Sequence, residues 1–289
     1  MKKTLFTGVC TALVTPFLNG QINYPMLKIL LQRQMDAGIG AVVLAGTTGE
    51  SATLTDEETT AMIRFSKEFL GDKMCVIAGT GSNSTAHAIQ KSLDAEKAGA
   101  DALLIVSPYY NKSTPAGLIA HYTAIANAVN LPIILYNVPS RTGLDMPVSV
   151  YHTLAKHQNI IGVKEAINDP AKIIKIKANC GKTFHVWAGN DEMTVPFLSV
   201  GCEGVISVIS NLFPEETAYM VDAAMDGDFE TASAIAGKML PWNDFLSCEV
   251  NPIPVKAAMQ ALGFDCGIGR LPLTEISDEN HKKLQRLLQ

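Results

Sequence analysis

Short apolar runs recur along the chain, each closed by glycine, proline or polar residues and followed by a stretch whose apolar positions return every three or four residues. Eight runs fit this description: Gly8 to Val14, Ala41 to Ala45, Cys75 to Ala78, Ala102 to Val106, Pro132 to Tyr136, Ile160 to Val163, His185 to Ala188 and Gly204 to Val208. They are continuous rather than alternating, as strands covered on both faces are. Helix punctuation fills the gaps. Asn23 is placed to cap a helix that carries Met26, Leu27, Leu30 and Leu31 and stops at Gly38, and Thr55-Asp56-Glu57-Glu58 reads as a capping box with an acidic first turn. Ala37-Gly38 ahead of Ala41 to Leu44, and Ala98-Gly99 ahead of Ala102 to Ile105, repeat one helix-stop-then-strand unit. Eight such units with right-handed crossovers predict an α/β chain closed into a (β/α)8 TIM barrel, with an open doubly wound sheet as the alternative.

After the eighth run the pattern changes. Pro214 to Met225, Phe229 to Phe245, Pro252 to Leu262 and Ser277 to Leu288 read as helices with no strand between them. The barrel is expected to end near Asp226-Gly227-Asp228, giving a barrel over 1–227 and a C-terminal helical bundle over 228–289. That bundle is too small for a core of its own and is expected to pack on the barrel or on another subunit.

Charge excludes some partners. With 23 Lys+Arg against 28 Asp+Glu the net charge is −5, and no run of five like charges occurs, so neither a nucleic-acid groove nor a polybasic membrane patch is expected. No 18 consecutive apolar residues occur to span a membrane. Met1-Lys2-Lys3 before Leu5 to Val14 faintly imitates a leader, but Thr4, Thr7, Gly8 and Thr11 dilute it and no small-x-small site follows before Pro16. The six cysteines form no C-x-x-C pair, which points to a reducing cytoplasm. None of the six histidines has metal-clamp spacing, and no G-x-G-x-x-G or Walker turn is present, so neither a metal nor a nucleotide is expected.

In a barrel, chemistry gathers at the carboxyl ends of the strands. The second run ends in Gly46-Thr47-Thr48-Gly49-Glu50, where hydroxyls and backbone N–H groups can hold a carboxylate or phosphate; a plain tight turn is the competing reading. The fourth ends Ser107-Pro108-Tyr109-Tyr110-Asn111 and the fifth Tyr136-Asn137-Val138-Pro139-Ser140-Arg141-Thr142-Gly143. Two tyrosines and an arginine thus converge on one face, although a tyrosine there can simply pack and Arg141 can simply be solvated. The sixth run continues into Lys164-Glu165, where burial should still hold. A desolvated lysine retains some neutral amine able to attack a ketone, whereas a lysine reaching solvent or pairing with Glu165 would be inert. Lys172, Lys175 and Lys177 read as surface residues of a helix, and Asp191-Glu192 as a helix start.

These segments, with Gly162-Val163-Lys164-Glu165, Gly204-Val205-Ile206-Ser207 and Asn251-Pro252-Ile253-Pro254-Val255-Lys256, closely resemble the 4-hydroxy-tetrahydrodipicolinate synthase (dihydrodipicolinate synthase) family of pyruvate-dependent class I aldolases. The resemblance spans nearly the whole chain. It implies that Lys164 forms a Schiff base with pyruvate and that the resulting enamine attacks L-aspartate 4-semialdehyde, with no other cofactor. It implies that Thr47 and Thr48 hold the pyruvate carboxylate, that Tyr136 moves protons through Thr47 to Tyr110, and that Arg141 binds the carboxylate of the second substrate. Gly189 and Ile206 would contribute backbone carbonyls near the lysine. Tyr109 would reach across a tight homodimer, itself paired into a dimer of dimers, so a monomer should be a poor catalyst. N-acetylneuraminate lyase and ketodeoxygluconate-type aldolases share Lys164, Tyr136 and the threonine turn but do not usually carry arginine at position 141; a barrel that binds a keto acid without turnover would need no such lysine.

The resemblance also implies an effector site for lysine beside Tyr109, matched by Ser51, Ala52 and Asn83. Asp56 and Thr59 depart from it, as lysine-sensitive bacterial members tend to carry histidines there, and so does His87, where an acidic residue normally receives the effector's amino group. Loss of that charge implies weak or absent feedback, unless Asp56 or Glu57 swings in as a substitute.

Overall fold

The computed structural model describes residues 4–289, so the lysine pair of the leader-like start lies outside the described residues. Eight parallel strands close on themselves: β1 (Gly8–Ala12), β2 (Ala41–Leu44), β3 (Cys75–Gly79), β4 (Ala102–Val106), β5 (Ile133–Asn137), β6 (Ile160–Glu165), β7 (His185–Ala188) and β8 (Gly204–Ser207). Closure is made at β1, whose Cys10 lies opposite Ile206 of β8 on one side and Ala41 of β2 on the other. The chain is a (β/α)8 barrel. The first strand is shorter than its apolar run, ending at Ala12 with one more bond from the Leu13 N–H to the Val43 carbonyl at 3.1 Å, and β6 is longer, running on through Lys164 and Glu165.

Alternation along each strand divides the buried residues into two layers. Cys10, Val43, Ile77, Leu104, Ile134, Trp187 and Ile206 fill the interior, while Val42, Leu44, Leu103, Leu135 and Val163 face the helices. Phe6, just ahead of β1, stacks on Trp187 with ring centroids 5.0 Å apart and helps fill the interior.

The helices are α1 (Tyr24–Asp36), α2 (Asp56–Leu70), α3 (Thr85–Lys97), α4 (Pro115–Ala128), α5 (Val148–Leu154), α6 (Pro170–Cys180), α7 (Thr194–Ser199) and α8 (Pro214–Met225). Asn23 caps α1 through the Met26 N–H at 3.1 Å, and Thr55 and Glu58 form the reciprocal capping box on α2. Three more helices follow: α9 (Phe229–Leu246), α10 (Ile253–Ala261) and α11 (Asp278–Leu287). Phe213 of the barrel meets Trp242 of α9 edge-on at 5.0 Å, anchoring the extension. Among the described residues, no helix is long and apolar enough to cross a membrane.

Two features depart from the sequence reading. A two-stranded ribbon, Phe17–Leu18 with Gln21–Ile22, turns through Asn19 and Gly20, both at positive φ. Lys172 is not a surface residue: α6 turns it inward, where it is 8% exposed and pairs with Asp145 and Glu165.

Candidate active site

Lys164 stands on β6 directly opposite Tyr136 of β5. Both side chains point into the carboxyl mouth of the barrel, and the Lys164 ammonium lies 4.6 Å from the centroid of the Tyr136 ring. The residue is 4% exposed, yet among the described residues its Nζ has neither an ion pair nor a hydrogen bond. Pairing with Glu165 is ruled out by the pleat, which sends neighbouring side chains to opposite faces. Glu165 faces the helix layer, where it accepts from Asn137 at 2.9 Å and from the Tyr151 hydroxyl and lies 3.5 Å from Lys172. Burial pushes its carboxyl up, against the pull of Lys172, Asn137 and Tyr151. Lys164 therefore sits over an aromatic face in a cleft of about 580 Å³, with no carboxylate in direct contact with its Nζ among the described residues.

The threonine turn forms one wall, with Gly46, Thr47 and Thr48 on the cleft. Its ends, Ala45 at φ +50° and Glu50 at φ +59°, are left-handed without being glycine. The turn closes through Glu50 N–H to Thr47 O at 3.1 Å and Ser51 N–H to Gly46 O at 3.2 Å. It presses on β3 so closely that a Cβ on Gly79 would lie 2.1 Å from the Ala45 carbonyl oxygen. Arg141 reaches the rim from a single turn, Pro139–Thr142, and donates to the Asn251 carbonyl at 3.4 Å. Gly189 lines the cleft, where a Cβ would come within 2.8 Å of Ala166.

Three other lining residues had no assigned role. Asn251 donates from its side-chain amide to the Thr48 hydroxyl at 2.9 Å. Asp191 is no simple helix start: its Oδ2 accepts from the Val208 and Ile209 amides at 2.9 and 3.0 Å, while its Oδ1 is buried without a partner. Burial raises its carboxyl despite hydrogen bonds from Ser207, Ile209 and Val208 and the charge of Lys164 across the cleft. Glu249 joins them on the wall. The Asn251-Pro252 segment stands out in sequence, but nothing local ties it to a turn two hundred residues earlier.

Other expected members lie elsewhere. Ile206 is fully buried in the barrel interior and does not line the cleft. Tyr110 is 93% exposed at φ +66°, and Tyr109 is 39% exposed; neither lines the cleft. The relay from Tyr136 through Thr47 to Tyr110 is therefore not assembled within one chain, because the Tyr110 side chain, on the loop after β4, is turned to solvent and not into the cleft. Among the effector residues, His87 Nε2 lies 2.9 Å from Asp56 Oδ2, and Asn111 donates to the Asn83 carbonyl at 3.0 Å, bringing the tyrosine loop against the start of α3. Ser51 and Ala52 follow the turn, and Thr59 is buried with its hydroxyl unpartnered.

Comparison with known proteins agrees with this geometry. The model of the Dihydrodipicolinate synthetase family matches residues 5–289. A 4-hydroxy-tetrahydrodipicolinate synthase from Thermoanaerobacter sp. (strain X514) is 46% identical over 98% of this chain and 96% of its own. The dihydrodipicolinate synthase of Acinetobacter baumannii, solved in complex with pyruvate, superposes with a TM-score of 0.95 at 38% identity, over 99% of this chain and 98% of that one. A structure described as a monomeric dihydrodipicolinate synthase variant gives 0.96 at 37% identity, over 98% and 96%. With a match over nearly all its length and an amine-bearing cleft at the carboxyl end of its barrel, the chain belongs to the dihydrodipicolinate synthetase family.

Proposed function

We propose that this chain condenses pyruvate with L-aspartate 4-semialdehyde, as a 4-hydroxy-tetrahydrodipicolinate synthase on the diaminopimelate route to lysine. The observation that carries the reading is Lys164, buried in the cleft over the Tyr136 ring, with no hydrogen bond or direct ion pair at its Nζ among the described residues. Its amine adds to the keto carbon of pyruvate and water leaves, giving an imine; loss of a methyl proton leaves an enamine whose carbon attacks the aldehyde. The imine is the electron sink, so no metal or organic cofactor is required. Thr47 and Thr48 hold the keto acid's carboxylate, with Gly189 on the opposite wall, and Tyr136 shuttles protons. Arg141 on the rim offers a bidentate grip for the second substrate's carboxylate, which favours a short acidic aldehyde over a polyhydroxy chain.

Tyr110, outward-facing in its own chain, can serve the relay only in the cleft of a second copy, so we propose a homodimer that is functional as a unit, with dimers pairing further. This moves the cross-subunit role from Tyr109 to its neighbour. Residues 228–289 work as part of the barrel, since Asn243, Leu246 and Asn251 line the cleft. Cys10, Cys202 and Cys266 are buried thiols, which supports a reducing, cytoplasmic setting. Borohydride reduction in the presence of pyruvate should add one reduced pyruvate to the protein mass, and Lys164→Ala should abolish it in a folded barrel; undiminished trapping would overturn the reading. Turnover of N-acetylneuraminate in preference to aspartate semialdehyde would reassign the substrate.

A further inference from the structure

Behind the threonine turn, on the side away from Lys164, lies an ion pair that the proposed chemistry does not use. Lys256 of α10 and Glu50, at the end of the turn, are 4% and 3% exposed, and Lys256 Nζ lies 2.6 Å from Glu50 Oε1. The other carboxylate oxygen accepts from the Arg270 backbone N–H at 2.9 Å. Lys256 and Arg270 also lie over the Phe17 ring, 4.3 and 4.6 Å from its centroid. The Arg270 guanidinium donates to the Thr53 carbonyl at 2.8 Å and to the Glu58 carboxylate that completes the α2 capping box. With Asn251 on the Thr48 hydroxyl, three points of the C-terminal extension grip one loop.

A buried pair of this kind is a weak source of stability, because desolvating two charges offsets most of their attraction; its attested use is to select one conformation. The conformation needing selection here is a turn with left-handed, non-glycine residues at both ends. Burial holds the Lys256 ammonium below its usual range, against the pull of Glu50. We propose that the Glu50–Lys256 pair is a positioning device that locks the threonine turn in its ligand-holding shape, so that the C-terminal extension sets the affinity for the keto acid. The inference rests on the reading that Thr47 and Thr48 hold the pyruvate carboxylate.

The test is the double variant Glu50→Gln with Lys256→Met, which keeps volume and removes both charges together. The expected result is a Tm close to the parent's, a KM for pyruvate raised about tenfold or more, a kcat at saturating pyruvate within a few-fold, and faster hydrogen exchange at the Glu50 and Ser51 amides. A KM within twofold of the parent's overturns the proposal, whether or not Tm falls. Thr48→Val serves as the reference. If that variant leaves the pyruvate KM unchanged, the assignment of the turn fails; if it raises KM while the double variant does not, only the lock fails. Should the double variant not fold, exchange in the parent protein decides. The Arg270, Glu50 and Ser51 amides are expected to open together with one denaturant dependence, and independent opening of Arg270 overturns the proposal.

Discussion

Tyr136→Phe separates the two things that Tyr136 can offer Lys164. The ring stays 4.6 Å from the ammonium, and that contact, worth about 0.5–2 kcal/mol, survives the change. What goes is the hydroxyl. Tyr136 is 7% exposed, and among the described residues no protein group is hydrogen-bonded to its hydroxyl, so its loss leaves no orphaned partner and should barely move Tm. If the hydroxyl carries protons, its removal costs about 100- to 10,000-fold in kcat, or roughly 3–5 kcal/mol of barrier. If only the ring matters, kcat should stay within a few-fold. The coupled assay with pyruvate and aspartate semialdehyde reads this directly, with borohydride trapping as a control that Lys164 remains competent. A kcat within tenfold of the parent's, in a variant of unchanged Tm, would refute the proton-transfer role and leave Tyr136 as a platform.

Arg141→Ala should raise the KM for aspartate semialdehyde about tenfold to a hundredfold, the equivalent of a charge-assisted pair, and leave pyruvate nearly untouched; equal effects on both substrates would contradict the rim assignment. Glu58 is held below the usual carboxylate value near 4.5, chiefly by the hydrogen bond from Arg270, so its contribution to stability is full above that pH and is lost as pH falls through the lower folded value. Urea midpoints of the parent and Glu58→Gln, which keeps the capping acceptor, should therefore differ at pH 7 and draw together as pH falls below about 4.5; a gap independent of pH would count against it. Lysine should inhibit weakly, because Asp56, the substitute carboxylate, already faces the His87 imidazole at 2.9 Å and an incoming ammonium must displace it. Strong inhibition at sub-millimolar lysine would show that Asp56 receives the effector after all.

The barrel was legible because its strands are buried on both faces, so that Ala102–Val106 and His185–Ala188 stand out as unbroken apolar runs between polar helix faces. Lys164 was legible for the same reason, as a charge inside such a run. The ribbon at Phe17–Leu18 was not, being too short for alternation to register. Lys172 was misread because its helix also carries Lys175 and Lys177, and only the fold reveals that Asp145 and Glu165 wait beneath it. The grips on the threonine turn by Asn251, Lys256 and Arg270 join residues more than two hundred positions apart, which no local pattern encodes. The outward course of Tyr110 depends on a left-handed backbone angle that its neighbours in sequence do not announce.

That outward tyrosine has a genetic consequence. If every cleft borrows Tyr110 from its neighbour, Lys164→Ala and Tyr110→Phe are lesions in different halves of a shared catalyst, and two inactive alleles can complement. In a mixed dimer one cleft inherits both defects while the other inherits neither, so random association of equal amounts restores about a quarter of all clefts. Co-expression of the two alleles should then rescue growth of a cell that needs this step, although each allele alone fails.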